Sequence, residues 1–199
     1  MPRIARYDRQ SALDKALVLF WQKGYHNASI KQIEHALDMR PGSIYAAFGS
    51  KDGLFLEALS CYAKESGDYL SSHMAKYPSI IDGLQDYLRE IAMACAPGCP
   101  LPSRACMLVK TLLESSNTHP AINHQVNQIL DAIEHRIGDV LERAKNNGEL
   151  KPGVDCSRLA RLIQAQIIGL RSFAQRNTRA RDVVELGEDM ANILDRYRL

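Results

Sequence analysis

Apolar residues recur at helical spacing along almost the whole of this 199-residue chain, and that periodicity restricts it to an all-α fold. No stretch shows the strict alternation of a half-buried strand, and no strand–helix–strand unit, internal repeat or low-complexity tract stands out. The breaks fall where Gly, Pro and Asn would stop a helix: Gly24, Pro78, the run from Pro97 to Pro102, Pro120, Gly148 with Pro152 and Gly153, and Asn177. They predict long helices over about 51–76, 79–96, 103–116, 119–147, 156–176 and 181–197. With three shorter helices before residue 50, the total is about nine.

The first fifty residues carry the sharpest signals. Asp8 is placed to cap a first helix with Leu13, Leu17, Phe20 and Trp21 on one face, and Lys23 followed by Gly24 reads as its end. Ser29, Ile30, Lys31 and Gln32 form a capping box, with Ser at the cap and Gln three residues on. Ile30, Ile33 and Leu37 give that second helix a buried side. Asp38, Met39 and Arg40 make a short turn, and Pro41 suits the first position of a third helix because its missing N–H would be unpaired there. Ser50, Lys51 and Asp52 open a fourth helix. A short helix, a tight turn and a second short helix is the helix-turn-helix geometry, whose second helix enters the major groove of DNA.

Charge agrees with a nucleic-acid partner at one end only. The net charge is +2, but residues 1–51 hold eight Lys/Arg against four Asp/Glu, and the remainder seventeen against nineteen. A basic head on a mildly acidic body is the asymmetry expected where one end meets phosphates. No purely apolar run exceeds six residues, far short of the roughly twenty that span a bilayer, and no apolar stretch follows the first charges. A cytoplasmic protein with no membrane partner is therefore expected. In that compartment five cysteines (Cys61, Cys95, Cys99, Cys106, Cys156) are core or reactive thiols rather than a disulfide framework.

The residues Ala16, Phe20, Gly24-Tyr25 and Ala28 to Ile33, followed by Pro41-Gly42-Ser43-Ile44-Tyr45-Ala46-Ala47-Phe48-Gly49-Ser50-Lys51-Asp52-Gly53-Leu54-Phe55, resemble the tetracycline-repressor (TetR) family of transcriptional regulators. The resemblance covers about fifty residues; the rest matches in length and helical character. It implies a three-helix DNA-binding domain over 1–50 and a helical effector-binding and dimerisation domain over 51–199. It further implies a regulator, here a repressor, that binds a pseudo-palindromic double-stranded operator as a homodimer. Where Ala47 stands, the family often has His or a second aromatic, so no contact is carried to that position.

The chemistry of the segment is compatible with that implication. Ser29, Lys31 and Gln32 lie at the positive end of a helix, where N–H groups and a lysine can meet a phosphate. Gly42 and Ser43 are small enough for close approach to the groove, with Pro41 before them, although Gly42 reads equally as a packing glycine. The resemblance puts Tyr45 on the outer face against the DNA backbone and Lys51 on a second phosphate. Arg40 and the arm residues Arg3, Arg6 and Arg9 are further phosphate or minor-groove candidates.

The long helices are expected to form the effector and dimer unit. Leu162, Gln166, Gly169, Leu170 and Phe173 on one helix, and Met190, Ile193 and Leu194 on the last, form apolar stripes assigned to the dimer seam by the resemblance. Tyr62, Tyr69, Tyr87, Met93, Met107, His124 and Phe173 are candidate pocket residues for a small hydrophobic effector, with core packing as the alternative for each. Cys106 stands where some family members open their sixth helix with a Gly-Cys-Leu-like motif and a few use the Cys to sense oxidants or electrophiles. Arg104, Lys110 and a helix start near Cys106 favour a thiolate, while a small buried thiol is the alternative. Cys95, Cys99 and Cys106 lack zinc spacing, so no metal or other cofactor is expected. No catalytic triad, phosphate loop or paired-carboxylate motif is present, which argues against a helical enzyme; a helical adaptor without DNA binding is the other alternative, and retardation of promoter DNA separates it from a regulator.

Overall fold

The computed structural model describes residues 8–116 and 119–199. Among them are nine α-helices and one terminal 3₁₀ turn, with no strand beyond an isolated antiparallel bridge between Leu150 and Arg198. The helices are α1 (Arg9–Lys23), α2 (Ile30–Leu37), α3 (Pro41–Phe48), α4 (Lys51–Met74), α5 (Ile80–Cys95), α6 (Met107–Ser115), α7 (Pro120–Asn146), α8 (Cys156–Ala174) and α9 (Ala180–Asn192). None of them is long and apolar enough to cross a membrane.

Two boundaries differ from those the periodicity predicts. α6 begins at Met107 instead of 103, the residues between being held outside the helix. Ser103 Oγ and the Ala105 N–H donate instead to Gln175 Oε1. The last helix stops at Asn192, and Ile193–Arg196 tighten into 3₁₀ geometry. That turn lets the chain end pair back: Lys151 N donates to Tyr197 O and Leu199 N to Glu149 O.

The packing forms two compact units. The first comprises the described residues up to Glu65 together with Met107–Asn127; the second comprises Ser66–Cys106 and Gln128–Leu199. In the first unit α1 buries Leu13, Ala16, Leu17 and Phe20, α2 buries Ile33 and Leu37, and α3 buries Ile44 and Phe48. The Phe20 and Phe55 rings meet edge to face with centroids 4.8 Å apart, the arrangement the ring quadrupoles favour.

The second unit is built on α5, α7, α8 and α9. Leu84, Leu88, Ile91, Leu141, Leu159, Ile163, Leu170, Val183, Met190 and Leu194 lie in one continuous core. α9 approaches α5 closely at Gly187, where an added Cβ would press on the Ala92 methyl. The N-terminus of α5 is held by Glu149. Its carboxylate accepts from Ser79 Oγ at 2.8 Å, from the Ile80 N–H at 3.1 Å and from the Ile81 N–H at 3.0 Å. Burial pushes this carboxyl up, but the Ile81 and Ile80 N–H groups and the Ser79 hydroxyl outweigh it and leave Glu149 below its ordinary value.

This core corrects part of the dimer stripe. Leu170, Met190 and Leu194 are 1%, 4% and 0% exposed, so they serve the chain's own interior and have no surface left for a second subunit. Both stripes are broader than one interface: a helix packed on its own core spends one face there. The face that remains open on α8 carries Leu162, 39% exposed, and Gly169, which has open space around it. Gln166, Phe173 and Ile193 are half-buried.

Candidate nucleic-acid interface

Local hydrogen bonding explains why α2 and α3 form a bihelical reading head. Ser29 has extended backbone and its Oγ accepts from the Gln32 N–H at 3.3 Å; Gln32 Oε1 in return accepts from the Ser29 N–H at 2.9 Å. The reciprocal pair closes the first turn of α2. At the other end Asp38 takes the left-handed conformation at φ 53°, and the Met39 N–H donates to Glu34 O. Met39, 7% exposed, plugs the turn, and Pro41 opens α3. Arg40 provides no side-chain cap; its carbonyl accepts from the Ser43 and Ile44 N–H groups at 2.9 and 3.1 Å and Pro41 has no N–H, which leaves the Gly42 N–H for another acceptor.

The faces of α3 divide cleanly. Ile44 and Phe48 point into the core, whereas Pro41, Gly42, Tyr45 and Ala46 are exposed, Tyr45 at 44%. Gly42 has nothing around the position of a Cβ, which removes packing as the reason for glycine there. Ser43 is half-buried. Ser29, Lys31, Gln32 and Arg40 are exposed, and Lys51 half-exposed. All nine residues expected at the interface thus belong to the first unit and retain some surface.

Lys51 is more constrained than a solvated lysine. Its Nζ sits 4.3 Å over the ring centre of Tyr25, and the Tyr25 hydroxyl donates to Asp52 Oδ1. Burial lowers the Lys51 ammonium below its ordinary value, with Asp52 and Glu114 working against that. Burial, followed by the bond to Asp52, keeps the Tyr25 phenol protonated. The first turn of α4 is completed by Ser50 Oγ accepting from the Gly53 N–H at 2.9 Å. One guanidinium nitrogen of Arg9, Nη2, donates to both carboxylate oxygens of Glu57 at 2.7–2.8 Å, and the guanidinium lies over the Phe48 ring, so Arg9 is engaged within the fold. Arg3 and Arg6 lie outside the described residues.

Sequence reasoning missed the partners that hold the head from α6. Glu114 accepts from the Tyr25 N–H at 2.9 Å and fills the space beside Gly24 that any side chain would need. Lys110 Nζ donates to the carbonyls of Trp21 and Gln22 at 2.7 and 3.2 Å, neutralising the end of α1. These partners stand 88–89 residues from the groups they bind, and no spacing rule reaches that far.

The expected pocket residues are dispersed. Tyr62 and Met107, 6% and 1% exposed, are core residues of the first unit, with Tyr62 edge-on to Trp21. His124 belongs to the first unit too and is exposed. Tyr69, Tyr87, Met93 and Phe173 belong to the second; Met93 is half exposed, and Tyr69 and Tyr87 group around His73. Tyr62 and Met107 thus fit the core-packing alternative that stood beside the pocket reading.

The thiols sort by environment. Cys95 is fully buried, and burial raises its pKa; Cys106 and Cys99 are both close enough to act on it in the same direction. Cys99 is exposed and donates to Met93 O at 3.0 Å, and Cys106 is half-buried just before α6. Burial pushes Cys61 up and Cys156 up to about 11.

Comparisons with known proteins converge on this architecture. Residues 12–58 match the family model described as bacterial regulatory proteins, tetR family, and residues 82–185 match the tetracyclin repressor-like C-terminal domain. The transcriptional repressor ComR of Escherichia coli K12 is 28% identical over 173 residues, covering 85% of this chain and 80% of ComR. The repressor BdcR of the same strain is 31% identical over 144 residues, 71% of this chain and 69% of BdcR. Among solved structures, a cysteine mutant of the TetR-family regulator CifR complexed with 26-base-pair operator DNA superposes with a TM-score of 0.84 at 28% identity, covering 96% of this chain and 98% of that one. With both halves matched and the reading head built, this chain belongs to the TetR family of bacterial transcriptional regulators.

Proposed function

We propose that this regulator is a repressor that binds a pseudo-palindromic operator as a homodimer, with residues 1–50 as the DNA-binding part and 51–199 as the effector and dimer part. The observation that carries the reading is the outer face of α3, where Gly42 and Tyr45 are presented to solvent beside an uncapped helix N-terminus. Ser29, Lys31 and Gln32 meet one phosphate at the start of α2, and Lys51 a second at the start of α4. Arg40, Pro41, Gly42, Ser43 and Tyr45 line the groove side. CifR in complex with operator DNA and the repressor names of ComR and BdcR support the assignment.

The seam between subunits runs along the open face of α8, at Leu162, Gln166 and Gly169. Gln166 Oε1 is buried without a hydrogen-bond partner among the described residues, and a second subunit would supply a donor there. Two heads on one DNA face read half-sites about 34 Å apart per helical turn, so a small rigid-body change misregisters both. A coupling of about 1–3 kcal/mol between effector and operator releases DNA roughly 5–150-fold. A small hydrophobic effector in the second unit, near Tyr87 and Phe173, supplies that coupling. The test is retardation of DNA carrying the protein's own promoter, followed by genomic footprinting. A folded protein that retards no such DNA and leaves no footprint refutes the reading.

One observation favours a second trigger. Cys95, Cys99 and Cys106 fall within twelve residues between the end of α5 and the start of α6, and oxidation of Cys106 by a peroxide-class oxidant to a sulfenic acid would allow condensation with another of these thiols, with loss of water. Loss of oxidant-induced DNA release in Cys106→Ser, with operator binding retained, is the expected result. Release unchanged in that variant returns the role to the small molecule.

A further inference from the structure

Between the last turns of α4 and the first three turns of α5, inside the second unit, an imidazole is enclosed in a polar arrangement that repression does not require. His73 is 1% exposed. Its Nε2 lies 3.1 Å from the Gly83 carbonyl, which can only accept, so Nε2 carries the proton. In the neutral ring this leaves Nδ1 as a bare lone pair. Nδ1 is 3.1 Å from Glu90 Oε2, yet it is out of line for a hydrogen bond and makes none with any described residue. A buried lone pair beside a carboxylate oxygen is a costly juxtaposition unless something positive lies between them.

The two carboxylates flank the ring, Glu90 on the Nδ1 side and Asp86 nearer Nε2. Glu90 and Asp86 are one turn apart on α5, each about a third exposed. Asp86 Oδ2 is 3.5 Å from Nε2 of the same ring. Tyr69 donates its hydroxyl to Glu90 Oε2, and Tyr77 donates to Asp86 Oδ2 at 2.5 Å. Each phenol thus fixes one carboxylate in place. One donor atom from each of His73, Asp86 and Glu90 falls within 4.8 Å of the other two.

We propose that His73, Glu90 and Asp86 bind a first-row divalent cation of the zinc class, through His73 Nδ1 and one oxygen of each carboxylate, with water completing the shell. Two donors each about 2.0–2.1 Å from a zinc ion stand roughly 3.0–3.4 Å apart, which is the Nδ1–Glu90 separation. The ion needs both lone pairs aimed at a common point off the line joining them, and that is the alignment a hydrogen bond rejects. The far ring nitrogen fixed on a carbonyl and the carboxylates held by phenols are the outer-shell supports that orient metal ligands. The nitrogen donor disfavours magnesium and calcium, which take oxygen, and the lack of sulfur disfavours copper(I). The two carboxylates give the ion a route in from solvent while the imidazole stays buried. Bound there, it ties the end of α4 to α5.

The experiment uses the full-length protein, stripped with a chelator and titrated calorimetrically with zinc chloride, with magnesium chloride as control. One zinc per chain at this site is expected, with Glu90→Gln and Asp86→Asn each weakening it at least tenfold and Tyr69→Phe about tenfold or more. Both carboxylates have exposed surface, so the isosteric amides should fold; thermal melts without metal confirm that. Independently, the nitrogen resonance of His73 Nδ1 should shift on zinc addition and stay put with magnesium. Three results overturn the site: no saturable zinc binding, zinc binding that both amide variants leave intact, or an Nδ1 that carries a proton at neutral pH and does not respond to zinc. The second outcome would put the ion on the thiols, and the third would make the group a protonated imidazole held by two acids.

Discussion

Two glycines in the second unit have opposite surroundings, and replacing each by alanine separates internal packing from assembly. A Cβ at Gly187 falls inside 3.0 Å of the Ala92 Cβ, while carbons in contact ordinarily stay about 3.5–4.0 Å apart. The obstacle is a methyl with no rotamer to change, so α9 must back away from α5 or tilt. Helix propensity returns about 1 kcal/mol for Gly→Ala, against about 1–3 kcal/mol for overpacking a tight core, and the shift also loosens Val183, Met190 and Leu194. Because that methyl cannot yield, the overpacking takes the upper end of this range, and Gly187→Ala should destabilise by about 2 kcal/mol net, lowering the melting temperature by roughly 2–4 °C for each kcal/mol. At Gly169 nothing lies around the Cβ position within the chain. An isolated subunit should gain the full propensity, about 1 kcal/mol. If a partner helix lies against that face, the methyl holds it off and the dimer weakens instead. Urea unfolding at several protein concentrations, with sedimentation, reads both effects. Gly169→Ala should lower the concentration-dependent part of stability, and Gly169→Glu should yield monomers that bind operator poorly. A Gly187→Ala variant as stable as wild type would refute the α5–α9 packing argument. A Gly169→Glu variant that stays dimeric would put the seam elsewhere.

Tyr45→Ala and Lys51→Ala should each weaken operator binding while the fold persists, and losing the Lys51 phosphate contact should flatten the salt dependence by about one unit of slope; unchanged affinity and slope in both would reject this face as the reading head. Glu149 has a depressed pKa, so its capping contribution is present above its ordinary value of 4.5 and is lost as pH falls through the lower folded value. Glu149→Gln should cost about 1–2 kcal/mol at pH 7 and less in acid, and a chemical-denaturation series across pH that shows a constant difference would contradict the capping argument. In the folded protein Cys106 should alkylate faster than Cys95, Cys61 and Cys156, whose protons burial retains; mass spectrometry finding Cys106 among the slow thiols would make it a packing residue.

The all-α class, the nine-helix count and the reading head were legible in the sequence because their causes are local. A capping box needs four consecutive residues, and Ser29 and Gln32 form it as read. Pro41 starts α3 and Gly24 ends α1 for reasons confined to one backbone turn. The resemblance put Tyr45 on the outer face, and the structure gives the local reason: Ile44 and Phe48 take the inward positions of α3. Burial between helices depends on which stripes meet, and one-dimensional periodicity cannot say. The stripe on α8 and α9 was real, but only the tertiary structure decided that Leu170, Met190 and Leu194 close the chain's own core while Leu162 and Gly169 stay outside. Tyr62 and Met107 went to the interior in the same way. Polar partners were still harder to read. Glu114 and Lys110 reach α1 and its C-terminal turn from 88–89 residues away, and His73 meets Glu90 across a turn between two helices. Hydrogen bonds of that kind follow from packing already made, so the sequence holds their donors and acceptors, and only the fold determines which of them meet.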